Sequence, residues 1–117
     1  MRKSPTSLSR DERLRRRGDI TSLFAAGKSV SGGALRLVYR SNGSDTSRLL
    51  VTLRRKFGTA VERNRARRLV KEAYRIQKSN IRSGYDIGFV VYQKSMSYTE
   101  TAEAMLSLLK RAGLYEN

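Results

Sequence analysis

The chain has 117 residues, enough for one domain, and carries 25 Lys and Arg against 10 Asp and Glu, a net charge of +15. It has no cysteine and no histidine, which excludes disulfides, thiolate metal sites, Ser-His and Cys-His nucleophile systems and nearly all zinc sites. No apolar run approaches the roughly 18 residues of a membrane span, and the basic start Met1-Arg2-Lys3 lacks the apolar segment of a signal peptide, so a cytoplasmic protein is expected.

Residues 1–10 are polar, contain Pro5 and read as a mobile basic tail. Ser9-Arg10-Asp11-Glu12 has the form of a capping box that would start a helix early. Gly18 and the run Arg15-Arg16-Arg17 oppose a stable early turn, so the start of this helix stays open. Ile20, Leu23 and Phe24 share one helical face over about 17–26, and Gly27 is placed to end it. Residues 34–40 and 48–54 read as strands, joined through the turn-forming cluster 41–45 into a hairpin. Phe57-Gly58-Thr59 breaks the pattern before a long helix over about 60–78. After a second break at Ser83-Gly84, residues 85–92 are the strongest strand by β-branched and aromatic content. Ser97 and Glu100 form another capping box, followed by Ala102, Met105, Leu106, Leu109 and Ala112 on one face of a helix to about 112.

The order helix, strand, strand, long helix, strand, helix is an α+β arrangement, a small sheet with packed helices, in a single domain over 1–117. If 48–54 and 85–92 are parallel neighbours, the general rule gives a right-handed crossover.

A chain this basic needs a polyanion, and its excess of Arg over Lys favours nucleic acid, because a guanidinium grips phosphate with two hydrogen bonds and stacks on bases. The charge is uneven. Residues 1–17 are net +5 and residues 54–75 net +7, so these two blocks hold +12 of the +15. They predict one basic face if they meet in space.

The second block lies mostly on the long helix. At about 100° per residue, Ala66, Leu69, Val70, Ala73 and Ile76 gather on one side. Asn64, Arg67, Arg68, Lys71, Arg75 and Lys78 gather on the other, with Arg63 and Arg65 flanking the seam and Tyr74 at the border. An ordinary solvated face interleaves charges of both signs, and this stripe contains no acid. Arg54, Arg55 and Lys56 add cations before the helix. A membrane-surface helix would need large apolar anchors opposite the stripe, and that side is Ala-rich.

The stretch from Lys56 through Phe57-Gly58-Thr59-Ala60-Val61-Glu62-Arg63-Asn64-Arg65 to Arg75 resembles the signature of the bacterial ribonuclease P protein component, with its Arg-Asn-Arg core. The spacing of Leu14, Asp19, Phe24 and Gly27, together with Tyr39 and the Tyr98-x-Glu100 pair, extends the resemblance over about 14–115. The chain departs from the pattern in three places. Ile20 stands where a second aromatic is usual, Thr59 where an Asn amide is usual near the helix start, and Arg54 where Ser is frequent.

The resemblance implies an α+β fold whose signature helix lies in a left-handed crossover, against the general rule. It implies two partners, ribonuclease P RNA and precursor tRNA, with no membrane and no DNA. The RNA subunit, holding most of the Mg2+, would hydrolyse the phosphodiester that joins the 5′ leader to the tRNA. Arg67, Arg68, Lys71 and Arg75 would contact RNA, Arg63, Asn64 and Arg65 would fix the helix start, and Arg54, Arg55 and Lys56 would extend the patch. Ile20, Phe24 and Tyr39 would line a cleft for the leader. Core packing is the alternative for Phe24 and Tyr39, and capping or loop support for Arg63 and Asn64.

The acids are scattered, with no Asp-x-Asp arrangement, so no catalytic residue is assigned to this chain. Glu62 and Glu72 read as local ion-pair partners, Glu72 with Arg68 or Arg75. Composition alone fits a generic RNA- or DNA-binding module such as a ribosomal protein equally well, and an autonomous nuclease is a third class.

Overall fold

The structure, a computed structural model, describes residues 8 and 10–116. Most of the expected tail over 1–10 lies outside the described residues, as does Ser9 of the first capping box. Of its two described members, Leu8 is buried against the main core and the exposed Arg10 opens a 3-10 turn, Arg10–Glu12. Helix α1 spans Arg17–Ala26 and stops at Gly27, whose N–H donates to the Leu23 carbonyl at 2.8 Å. A Cβ at position 27 would collide with that same oxygen, so glycine is required for the close turn.

Strands β1 (Lys28–Ser31), β2 (Leu35–Ser41) and β3 (Arg48–Leu53) follow, then helix α2 (Ala60–Gln77), strand β4 (Tyr85–Val91) and helix α3 (Tyr98–Arg111). The sheet order is β1-β2-β4-β3, with β4 antiparallel to β2 and parallel to β3. The hairpin expected between the second and third strands therefore does not form. Every residue of β4 after Tyr85 is buried, and a strand buried on both faces takes the centre of a sheet. The turn after β2 closes onto the start of β4 instead: the Asn42 N–H donates to the Gly84 carbonyl at 2.8 Å, and its Nδ2 donates to Asp86 Oδ1 at 3.0 Å. β3 and β4 are the parallel neighbours that α2 connects.

Alternation along the strands divides the core. On one face, Leu35, Leu37, Leu49, Leu53, Ile87 and Phe89 pack against Val70, Ala73 and Tyr74 of α2 and Met105, Leu108 and Leu109 of α3. On the other, Val38 packs with Leu14 and Leu23, with Ile20 and Leu50 at the edge of this smaller cluster. Gly88 lets α1 approach the sheet: a Cβ there would stand 3.2 Å from Leu23 Cδ2.

Thr59 caps α2 in a full capping box. Its hydroxyl accepts from the Glu62 N–H at 3.2 Å, and its own N–H donates to Glu62 Oε1 at 2.9 Å. The departure at position 59 thus replaces an amide with a working N-cap. The Ser97–Glu100 box forms at α3 as expected. The apolar side of α2 is rotated from the sequence expectation. Tyr74, placed at the border, is buried, whereas Ile76 is 59% exposed.

Candidate nucleic-acid interface

Helix α2 turns Asn64, Arg67, Arg68, Lys71 and Arg75 into one open groove, so five of the six residues of the expected stripe come together. Among the described residues the groove holds a single carboxylate, Glu72, and Leu8 and Arg13 complete its lining. Glu72 makes no ion pair among the described residues, so the expected bridge to Arg68 or Arg75 is absent. Glu62 instead faces Lys94, at 3.6 Å. Arg75 Nε is buried and has no hydrogen-bond partner among the described residues. Lys78, the sixth member of the stripe, is drawn off: its Nζ lies 2.7 Å from Glu12 Oε2 and ties the end of α2 to the N-terminal turn.

No local sequence pattern marks Arg13 as part of this groove. Arg13 enters because Leu14 is buried and its N–H donates to the Leu49 carbonyl at 2.9 Å, which lays this segment along β3. Arg13 also lines a second basic cleft with Arg10, Arg15, Arg16 and Arg48, where Asp11 is the one acid among the described residues. The two charged blocks therefore meet at Arg13. The signal was present in the sequence as the net charge of residues 1–17, but no local pattern tells which of those cations faces α2.

The residues around the start of α2 have different duties. Arg54, expected in the RNA-binding patch, is held inward: its Nε donates to the Tyr92 carbonyl at 2.8 Å, and Nη1 donates to the Arg55 and Lys56 carbonyls at 3.2 and 3.3 Å. Its guanidinium lies 5.7 Å from the Phe57 ring centroid, so it braces the loop before α2. Arg55 and Lys56 are exposed and available to a ligand. Arg63 is half-buried, and its N–H closes the first helical turn onto the Thr59 carbonyl at 2.9 Å. Arg65 points away from the stripe, into a pocket between α2 and α3.

The three residues expected to form one cleft are split. Phe24 is 37% exposed on α1, beside Gly88, and Ile20 lies at the edge of the α1 cluster. Tyr39 is not with them. It follows the parity of Leu35 and Leu37, packs on the α2–α3 face and meets Tyr85 at a ring-centroid separation of 6.4 Å. Val38 is the β2 residue on the α1 side. Phe24 and Tyr39 are thus both partly exposed, on opposite faces of the sheet.

Among the described residues no helix is long and apolar enough to cross a membrane, and no three His, Cys, Asp or Glu side chains come together as a metal site.

Comparison with known proteins gives a consistent result. A family model described as Ribonuclease P matches residues 8–113. The ribonuclease P protein component of Clostridium novyi is 39% identical over 112 residues, covering 92% of this chain and 99% of that protein. The Thermotoga maritima component is also 39% identical over 112 residues, covering 90% of this chain and 95% of its own. Among solved structures, the ribonuclease P protein of Thermotoga maritima superposes with a TM-score of 0.75 at 36% identity, covering 86% of this chain and 96% of that one.

Proposed function

The chain belongs to the ribonuclease P protein family, and from that premise we propose that it binds the catalytic RNA of ribonuclease P and the 5′ leader of precursor tRNA. It would act in the cytoplasm, as a subunit of an endoribonuclease whose hydrolytic chemistry belongs to the RNA. The observation that carries this reading is the α2 groove, where Arg13, Arg67, Arg68, Lys71 and Arg75 face one carboxylate. Such a row follows a phosphate backbone: each phosphate neutralised releases condensed counterions. It would also screen the repulsion between the RNA subunit and a substrate that is itself a polyanion.

In this reading Phe24 offers an exposed aromatic face on which unpaired leader bases stack without strong sequence preference. Arg55 and Lys56 extend the basic surface beyond the start of α2. Magnesium supplies charge stabilisation to the cleaved phosphodiester. The described carboxylates of this chain do not gather into a site for it, which supports a place on the RNA.

The test is cleavage of precursor tRNA by a bacterial ribonuclease P RNA at limiting magnesium, with and without the protein. Stimulation of 5′-leader removal is expected, with no cleavage by the protein alone. Absence of stimulation would sink the reading, and cleavage by the protein alone would make it a nuclease in its own right.

A further inference from the structure

We propose that the pocket between α2 and α3 is a binding site for a single unstacked nucleobase of the RNA that follows the α2 stripe. The proposal rests on the reading of α2 as the RNA-binding helix. The pocket has a volume of about 240 Å³, below the roughly 300–1,000 Å³ of sites for drug-sized molecules, and suits one flat ring system. Its inner surface is mostly apolar, formed by Phe57, Val70 and Met96 with the buried Thr101 from α3, and Ala66 and Leu69 make the α2 wall. The mouth is polar: Glu62 and Arg65 stand on one side, Gln93 and Ser95 on the other.

These rim groups match a base better than a lipid or an apolar peptide. The Gln93 amide carries both donors and an acceptor, as the edge of a base requires, and its side chain makes no hydrogen bond among the described residues. The Arg65 side chain is equally uncommitted, and a guanidinium either stacks on a base or grips its phosphate. Glu62 is already occupied, with Oε1 accepting from the Thr59 N–H and Oε2 facing Lys94. Unpaired bases held by an arginine plane and by hydrogen bonds to their edges are the usual mode of RNA readout.

Backbone strain marks the same place. Among the described residues the only non-glycine positions in the left-handed region are Lys56, at φ 58°, and Ser95, at φ 62°. Ser95 lines the pocket, and Lys56 immediately precedes Phe57 of its inner surface. Both loops that frame the pocket are thus held in an unfavourable conformation, and such strain collects at ligand clamps.

Position selects the source of the base. Arg65 lies about 60° around the helix from Arg68, between the stripe and the pocket. A strand with its phosphates on Arg67, Arg68 and Lys71 brings a splayed base to the Arg65 side.

The test is titration of the full-length 15N-labelled chain at low salt with nucleoside 5′-monophosphates, ribose 5-phosphate and inorganic phosphate. Saturable shifts are expected at the amides of 56–58, 62–66 and 93–97 with the nucleotides and not with ribose 5-phosphate. Ala66→Leu, which fills the pocket, should weaken nucleotide binding at least tenfold. It should also weaken ribonuclease P RNA binding several-fold at unchanged salt slope, because it removes no cation. Gln93→Ala, at an exposed position, should weaken nucleotide binding without altering stability and stands in if Ala66→Leu fails to fold. Equal shifts with ribose 5-phosphate, or nucleotide binding unchanged in Gln93→Ala, would overturn the site. Loss of nucleotide binding with undiminished RNA affinity would overturn the RNA as its source. A failure of the stripe to bind RNA would show instead as a salt slope insensitive to its arginines, and leaves the nucleotide titration readable.

Discussion

Arg48 and Asp86 stand opposite each other on neighbouring parallel strands and meet through two hydrogen bonds, Nε to Oδ1 and Nη2 to Oδ2, each 2.8 Å. The remaining nitrogen, Nη1, donates to Asp19 Oδ2 at 3.2 Å, so one guanidinium fastens the first turn of α1 to the sheet. The hydrogen bonds that Arg48 donates to Asp86 hold its pKa above the ordinary value, against the opposing effect of burial. Two-bonded arginine–carboxylate pairs are among the stronger polar contacts in proteins.

Asp86→Ala is expected to cost about 2–3 kcal/mol, short of the full penalty for breaking a buried pair, because the Arg48 side chain is 30% exposed. Asp19→Ala breaks only the outer contact and should cost under about 1 kcal/mol. Urea denaturation of both variants checks the ranking, and equal losses would mean that the Asp86 pair is no stronger than the surface contact.

The pairing also explains most of the spacing Leu14, Asp19, Phe24 and Gly27. Leu14 is core, Asp19 holds Arg48, and Gly27 permits the turn after α1. Phe24, by contrast, keeps its ring 37% exposed beside Gly88, and a partly exposed aromatic there invites a functional account. Phe24→Ala should cost about 1–2 kcal/mol of stability, because most of its side chain is covered. It should also lower the holoenzyme's preference for leader-bearing precursor over mature tRNA about tenfold, the size of one stacking contact. Tyr39→Ala should destabilise the fold by a similar amount, about 1–2 kcal/mol, through lost packing while keeping the leader preference. Affinities for substrates with and without a leader decide between them, and a leader effect at Tyr39 in place of Phe24 would invert the assignment.

Tyr74 gives a pH signature for the packing of α2. Burial pushes its phenol up to about 12, with a further push from Glu12. The folded value lies above that of the unfolded chain. The neutral phenol therefore contributes fully below about pH 10, and this stability is lost as the pH rises toward 12. Tyr74→Phe removes the titration, so the variant should gain on the wild type across that window, by up to about 2.5 kcal/mol at its top. Urea melts at pH 9 and pH 11.5 measure the gain, and a difference that stays flat would mean the phenol is not buried in the folded chain.

Elements set by local pattern were legible in the sequence. The three α-helices, the strand from Tyr85 and the Ser97 cap follow from periodicity and capping chemistry. What long-range pairing sets was not. β1, a four-residue edge strand of sequence Lys-Ser-Val-Ser, has no apolar run to announce it. The turn at 41–45 looks like a local hairpin connection, whereas Asn42 bonds to Gly84 and Asp86 and β4 inserts between the two strands. Strand parity governs the site in the same way. One residue separates Val38, on the α1 face, from Tyr39, on the other, and nothing local in the run Leu37-Val38-Tyr39 says which side faces α1. Arg54 likewise reads as one more cation in a basic run until the Tyr92 carbonyl is seen to hold it.

The central claim, that the α2 groove is a phosphate track, is tested most directly by the salt dependence of binding to ribonuclease P RNA. The slope of log K against log salt should fall by roughly 2–2.7 when Arg67, Arg68 and Lys71 are all replaced by Ala, at about 0.7–0.9 per lost phosphate contact. Arg54→Ala should lower stability and leave the slope where it was, because its guanidinium is engaged with backbone carbonyls. A triple variant with the wild-type slope would contradict the account, since the stripe would then be a solvated helix face and not the surface that holds the RNA.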